Sequence, residues 1–128
     1  MRVLVVMDPC EERTALTCAL AELAIEPVEA GGADAAIAVL EAGDEPAAVL
    51  LGWNVSGRDG IELLERMRSD ARWQALPVLL VTGAADLEYV SRAIPAGASE
   101  YVFQPLDSGS LLEKLLLVGV DPDHRKAA

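Results

Sequence analysis

Aromatic side chains are scarce in this chain: two Trp, two Tyr and one Phe make up 4% of its 128 residues. A hydrophobic fraction of 52% therefore rests on Val, Leu, Ile and Ala, which is ample for a real core. Basic residues are also few, 10 Lys and Arg against 21 Asp and Glu, for a net charge of −11. That balance excludes nucleic acid as a partner, since phosphate binding needs clustered Lys and Arg, and it equally excludes an anionic membrane surface. The one basic cluster, His124-Arg125-Lys126, stands at the C-terminal end. No apolar run approaches the ~18 residues of a membrane span, and no signal peptide is visible, because the stretch Val3 to Met7 stops at Asp8. The two cysteines, Cys10 and Cys18, fall in one predicted helix and cannot bridge each other there, so free thiols and a cytoplasmic location are expected.

What is present is an alternation of short apolar strands and amphipathic helices. Val3 to Met7 is a continuous apolar run, as a central parallel strand covered on both faces requires. Asp8-Pro9-Cys10-Glu11 reads as a helix start, with Asp8 as N-cap, Pro9 in the first position and Glu11 closing a capping box. That helix runs to about Leu23, with Leu16, Ala19, Leu20 and Leu23 on one face. Ile25 to Glu29 forms the second strand; Pro27 within it cannot donate to a ladder, which places the strand at a sheet edge.

Helix Ala33 to Ala42, strand Ala47 to Leu51, a loop from Trp53 to Gly60 and helix Ile61 to Ser69 follow. Then come strand Pro77 to Val81, a helix from Leu87 to Ile94 stopped by Pro95 and Gly97, strand Glu100 to Phe103 and a last helix from Ser108 to Gly119. Five βα units predict an α/β doubly wound fold with a five-stranded parallel sheet, and the edge position of the second strand favours the flavodoxin-like order 2-1-3-4-5. One domain is expected over 1–119, with 120–128 as a short tail.

In such a sheet the functional crevice lies beyond the carboxyl ends of the strands. Those ends read Met7-Asp8, Gly52, Thr82 and Gln104-Pro105. Together with Asp59-Gly60, Pro77-Val78-Leu79-Leu80-Val81-Thr82 and Ala96-Gly97-Ala98-Ser99-Glu100-Tyr101-Val102, they make the chain resemble a CheY-type response-regulator receiver domain to about Val118. The resemblance implies two acids after the first strand, a phosphoacceptor Asp ending the third, Ser or Thr ending the fourth, and a Lys before a Pro ending the fifth. This sequence departs at three of those five places: Met7 replaces the first acid, Gly52 the acceptor and Gln104 the lysine. Asp8 and Thr82 remain, as does Tyr101, the aromatic that the resemblance makes a switch residue. A cis bond before Pro105 is implied by the same likeness.

An acyl phosphate requires a carboxylate nucleophile, and glycine has no side chain; Trp53 and Asn54 cannot substitute. Magnesium takes hard oxygen ligands, and Met7 contributes none. A lysine without its anionic partners would be an unpaired charge in a semi-buried pocket, which Gln104 avoids. The expected pocket is therefore vestigial (Met7, Asp8, Gly52, Thr82, Gln104), with no catalytic residue, no metal and no cofactor. Asp8 has a sufficient explanation as a helix cap, Thr82 reads equally as a cap or as a switch, and Gly52 also fits a kink or a close backbone approach.

Other uses of the fold are weaker. Cys10 near a helix N-terminus suggests an activated thiol, but Glu11 and Glu12 follow it and no anion-cradling loop surrounds it. An altered pocket binding a small ligand through Asp8, Thr82 and Gln104, walled by Met7 and Trp53, is the alternative from a different class. The last helix carries the positive clue. Leu111, Leu115 and Val118 suffice as a core stripe, so Leu112, Leu116 and Leu117 are surplus and point to an exposed binding face. The sequence thus predicts a non-enzymatic, phosphorylation-independent module of two-component (phosphorelay) signalling. Its partner would be a protein: a histidine kinase, a response regulator or another signalling protein, or a second copy docked through the last helix.

Overall fold

Residues 2–8, 11–43, 46–52, 54–55, 58–83, 87–104 and 107–121 are described by the computed structural model. Five parallel strands form its sheet: β1 (Arg2–Val6), β2 (Glu26–Ala30), β3 (Ala48–Gly52), β4 (Val78–Gly83) and β5 (Glu100–Gln104). Their spatial order is β2-β1-β3-β4-β5, the flavodoxin-like order expected. Five helices connect and cover them: α1 (Glu11–Glu22), α2 (Ala33–Glu41), α3 (Gly60–Arg68), α4 (Leu87–Ala96) and α5 (Ser108–Leu117).

Side chains alternate across a strand, so each strand feeds two cores. Leu4, Val6, Val49, Leu51, Val78 and Leu80 pack with Ile37 and Leu40 of α2, Ile61, Leu64 and Met67 of α3, and Val90 and Ala93 of α4. On the opposite face Val3, Val5, Leu50, Leu79, Val81 and Val102 meet Leu16, Ala19 and Leu20 of α1 and Leu111 and Leu115 of α5. Full burial of each such Val or Leu stabilises the fold by about 1.5–3 kcal/mol. Pro27 lies on β2, an edge strand, where its missing N–H costs no central ladder bond.

Several boundaries differ from the sequence expectation. Strand β2 begins at Glu26 and ends at Ala30, because Ile25 is used to close α1: its N–H donates to Leu20 O at 2.9 Å. The loop after β3 contains a small antiparallel ladder pairing Asn54–Val55 with Arg58–Asp59, and a 3₁₀ turn, Ala71–Trp73, precedes β4. Helix α4 passes through Pro95 instead of stopping at Ile94. A proline in the last turn forfeits a single N–H bond, which this helix tolerates. The stop comes at Gly97, whose φ of +119° suits glycine and whose missing Cβ leaves room for Arg68; a Cβ there would lie 2.5 Å from Arg68 Cγ. Arg68 then donates to Gly97 O at 2.9 Å and to Trp73 O at 2.6 Å, tying the end of α3 to the turn before β5.

Helix α5 ends at Leu117, two residues before the expected Gly119. The N–H of Val120 folds back to Leu115 O at 2.8 Å, and Val120 is buried against the α1/α5 core. Asp107 caps the helix start, accepting from the Ser110 N–H at 2.8 Å, and this bond holds its carboxyl below the ordinary aspartate range. Pro9 and Cys10 lie outside the described residues, as does the His124-Arg125-Lys126 cluster; Asp8 and Glu11 of the expected capping box are described, and α1 begins at Glu11 itself. Cys18 on α1 is exposed with a free thiol. Among the described residues no helix is long and apolar enough to cross a membrane.

Candidate functional site at the strand ends

Register decides which side chains share the crevice. Val6 pairs with Leu51, Leu51 with Leu80, and Leu80 with Tyr101, so the residues just beyond these rungs lie side by side at the carboxyl edge. Met7, directly after β1, and Gly52, the last residue of β3, occupy the next step. Met7 is held by its own backbone: its N–H donates to Ala30 O at 3.2 Å, and its carbonyl accepts from Arg13 Nη1 at 3.5 Å. Arg13 is in turn paired with Glu29 at 3.6 Å, which fixes the start of α1 against the end of β2.

Met7 is 8% exposed and belongs to the α1/α5 core. Gly52 is buried and pairs with Val81. The two residues are in direct apposition. A Cβ built on Gly52 would stand 2.8 Å from Met7 Cβ, 3.3 Å from Met7 Cε and 3.5 Å from Val6 O. The first distance is a clash, and the second puts the thioether methyl over the place where a side chain at 52 would begin. Glycine at this position is therefore a packing requirement of Met7, and the expected close approach is made by a side chain and not by backbone alone.

Asp8 follows, half-buried. The donor set at the ends of β1 and β3 is then one carboxylate, one thioether and one bare α-carbon. A magnesium-type ion asks for hard oxygen ligands, usually including one or two carboxylates, and these residues do not fit it well. Among the described residues no group of three or more His, Cys, Asp or Glu is placed to hold a metal.

The β4 and β5 ends differ in character. Thr82 is buried, 1% exposed, in register with Phe103. Gln104 pairs with Gly83 through the backbone, which brings it to the same edge as Thr82; its side chain, Trp53 and Pro105 with its expected cis bond lie outside the described residues. Tyr101 is half-buried against the α2/α3/α4 core. Its ring stacks at a tilt of 50° on Phe103, centroids 5.1 Å apart, and Lys114 Nζ of α5 sits 4.7 Å from its centroid. Lys114 also reaches Glu100 at 3.5 Å. Sequence reasoning missed Phe103 and Lys114. The signal was present in the alternation Tyr101-x-Phe103 on an edge strand, but nothing local says that a lysine from α5 will cover the ring.

Two of the three surplus leucines of α5 are exposed and the third is half-buried. Leu111 and Leu115 are fully buried, Leu112 is half-buried, and Leu116 and Leu117 are 49% and 68% exposed. At about 100° per residue, Leu112 and Leu116 stack on one flank of the core stripe, whereas Leu117 lies beside Lys114 on the other. Leu117 thus neighbours Lys114, and Leu112 with Leu116 lies on the opposite flank of α5. Ile94 on α4 is a further exposed apolar residue, at 43%.

Known proteins share this fold. The family model for the response regulator receiver domain matches residues 3–116. The chain is 34% identical over 116 residues to the chemotaxis protein CheY-3 of Vibrio cholerae, covering 90% of this chain and 88% of that protein. It is 30% identical over 119 residues to CheY1 of Helicobacter pylori, covering 92% and 96%. The solved receiver domain of NtrX from Brucella abortus superposes with a TM-score of 0.80 at 26% identity, covering 91% of this chain and 97% of that one. The sheet order, the crevice and these likenesses agree: the chain belongs to the response regulator receiver domain family.

Proposed function

We propose that this receiver domain works in two-component signalling without aspartyl phosphorylation, as a cytoplasmic module that binds another signalling protein. The observation that carries the reading is Gly52 at the end of β3, closed over by Met7. Phosphoryl transfer to a receiver needs a carboxylate oxygen as nucleophile, and Gly52 offers no side chain. Gln104 supplies no cation to meet a phosphoryl group, and Met7 and Gly52 supply no side-chain oxygen to a divalent ion. Met7, Asp8, Gly52, Thr82 and Gln104 are on this reading a vestigial pocket with no catalytic or metal-binding role.

What remains is a surface. Leu116 and Leu117 expose apolar area on α5, and Leu117 is the i+3 neighbour of Lys114, which covers the Tyr101 ring. Exposed apolar patches on small domains mark contact sites. Tyr101 in this setting biases the edge through partner contact, which requires that the partner bind one arrangement of the edge more tightly than another. The alternative, a small ligand in the altered pocket, is disfavoured by the close packing of Met7 on Gly52.

The reading is tested by binding to the histidine kinases and response regulators of the same cell, and to a second copy, measured with and without acetyl phosphate and magnesium. Affinity is expected to stay within about twofold on adding the donor, and Leu117→Glu is expected to weaken it about tenfold or more, a change of ~1.4 kcal/mol. Binding that appears only with the phosphodonor contradicts the proposal.

A further inference from the structure

We propose that Met7 is a second, independent lock on this crevice: its side chain is the resident occupant of the space that any side chain at position 52 would enter. The inference deepens the reading above and rests on it. It goes further in saying that restoring a carboxylate at 52 is not enough to make the domain accept a phosphoryl group. The geometry is specific. Two atoms of Met7, Cβ at 2.8 Å and Cε at 3.3 Å, crowd the position of a Cβ on residue 52, with Val6 O behind them at 3.5 Å.

Met7 cannot readily swing away. It is 8% exposed, sits in the α1/α5 core, and is tethered through its N–H to Ala30 O and through its carbonyl to Arg13. A flexible thioether tip yields at modest cost. A Cβ does not, because it moves only with the backbone, and here that backbone is pinned to β2. A side chain added at 52 must therefore part the ends of β1 and β3 or be turned from the crevice mouth. Either outcome leaves a new carboxylate misplaced. A misplacement on the order of 1 Å is enough to cost about 100-fold in rate.

Two linked experiments test the lock. The first is a stability cycle of Gly52→Ala, Met7→Gly and the pair. Strong coupling is expected: Gly52→Ala lowers the melting midpoint by roughly 5 °C or more in the parent and by less than half as much beside Met7→Gly. Equal losses in the two backgrounds overturn the proposal. The second uses Gly52→Asp with Gln104→Lys, with and without Met7→Gly, each incubated with acetyl phosphate and magnesium and weighed intact. In the expected step a carboxylate oxygen at 52 forms a bond to phosphorus while the bond from phosphorus to the acetate oxygen breaks, and acetate leaves with the electron pair.

The triple variant is expected to gain one phosphoryl group at least about tenfold faster than the double variant. Similar rates, or no gain in either, overturn the lock. The methyl of Met7 gives a readout that needs no variant to fold. In the parent it should show a nuclear Overhauser contact to the Gly52 α-protons, and absence of that contact also overturns the proposal. The parent's own mass after the same incubation tests the underlying reading separately, so the two can fail independently.

Discussion

At the ends of β1 and β3 the crevice is filled by a thioether packed on a glycine, whereas the β4 and β5 side keeps a buried threonine and a tyrosine ring under a lysine ammonium. The two halves sit on one sheet, in continuous register, yet they carry different chemistry. The difference teaches that backbone position and chemical role are separable. The rung Val6, Leu51, Leu80 and Tyr101 fixes the common register of the four strands, and the residues that follow it decide what can happen at the carboxyl edge. One half has become core. The other leaves a tyrosine, a phenylalanine and a lysine at the edge of the sheet.

Four predictions sharpen that contrast, beginning with the largest effect. Within α5, Leu115→Ala should cost about 2–5 kcal/mol, because a fully buried side chain leaves a cavity, while Leu117→Ala should stay within about 0.5 kcal/mol and act on partner binding instead. Denaturant unfolding of the pair checks this, and similar losses would mean that the outer face of α5 is not free. Gly52→Ala should destabilise by about 1–3 kcal/mol through overpacking against Met7, a cost out of proportion to one methyl group on a strand end. Thermal melts read it, and a neutral result would show the crevice floor to be loose.

Lys114→Ala removes the cation over Tyr101 and a half-exposed ion pair with Glu100, together worth about 0.5–1 kcal/mol. The sharper readout is the Tyr101 ring resonance, which should move while the Met7 methyl resonance stays in place. Coupled movement of both would join the two halves that the geometry separates.

The smallest effect is pH dependence. Hydrogen bonding from the Ser110 N–H holds the Asp107 carboxyl below its ordinary value, and bonding from Arg72 does the same for Asp70. Folded-state values depressed in this way contribute stability that is present above the unfolded value, near ~3.9, and is lost as pH falls through the folded value. Melts should therefore weaken modestly in acid below about pH 4, and Asp107→Asn should flatten part of that slope. A slope unchanged by Asp107→Asn would remove the cap from the acid response.

Much of this was legible in the sequence. Continuous runs such as Val3 to Met7 and Val78 to Val81 identify buried parallel strands, and Pro27 marks an edge, because these follow from local pattern and one missing N–H. The strand ends were readable for the same reason: Met7 directly follows β1, Gly52 and Gln104 close β3 and β5, and Thr82 stands one residue before the end of β4. Helix ends were less readable: α4 ran through Pro95 because a terminal proline loses little, and Gly97 with Arg68 set the stop from across the fold. The contact of Met7 on Gly52 and the placement of Lys114 over Tyr101 were not readable. Both depend on distances between separate segments of the chain.

The most direct measurement is the intact mass of the unmodified protein after prolonged incubation with acetyl phosphate and magnesium. A silent crevice predicts a single species at the mass of the unmodified chain. An adduct of one phosphoryl group per chain, lost on treatment with hydroxylamine as an acyl phosphate is, would contradict it.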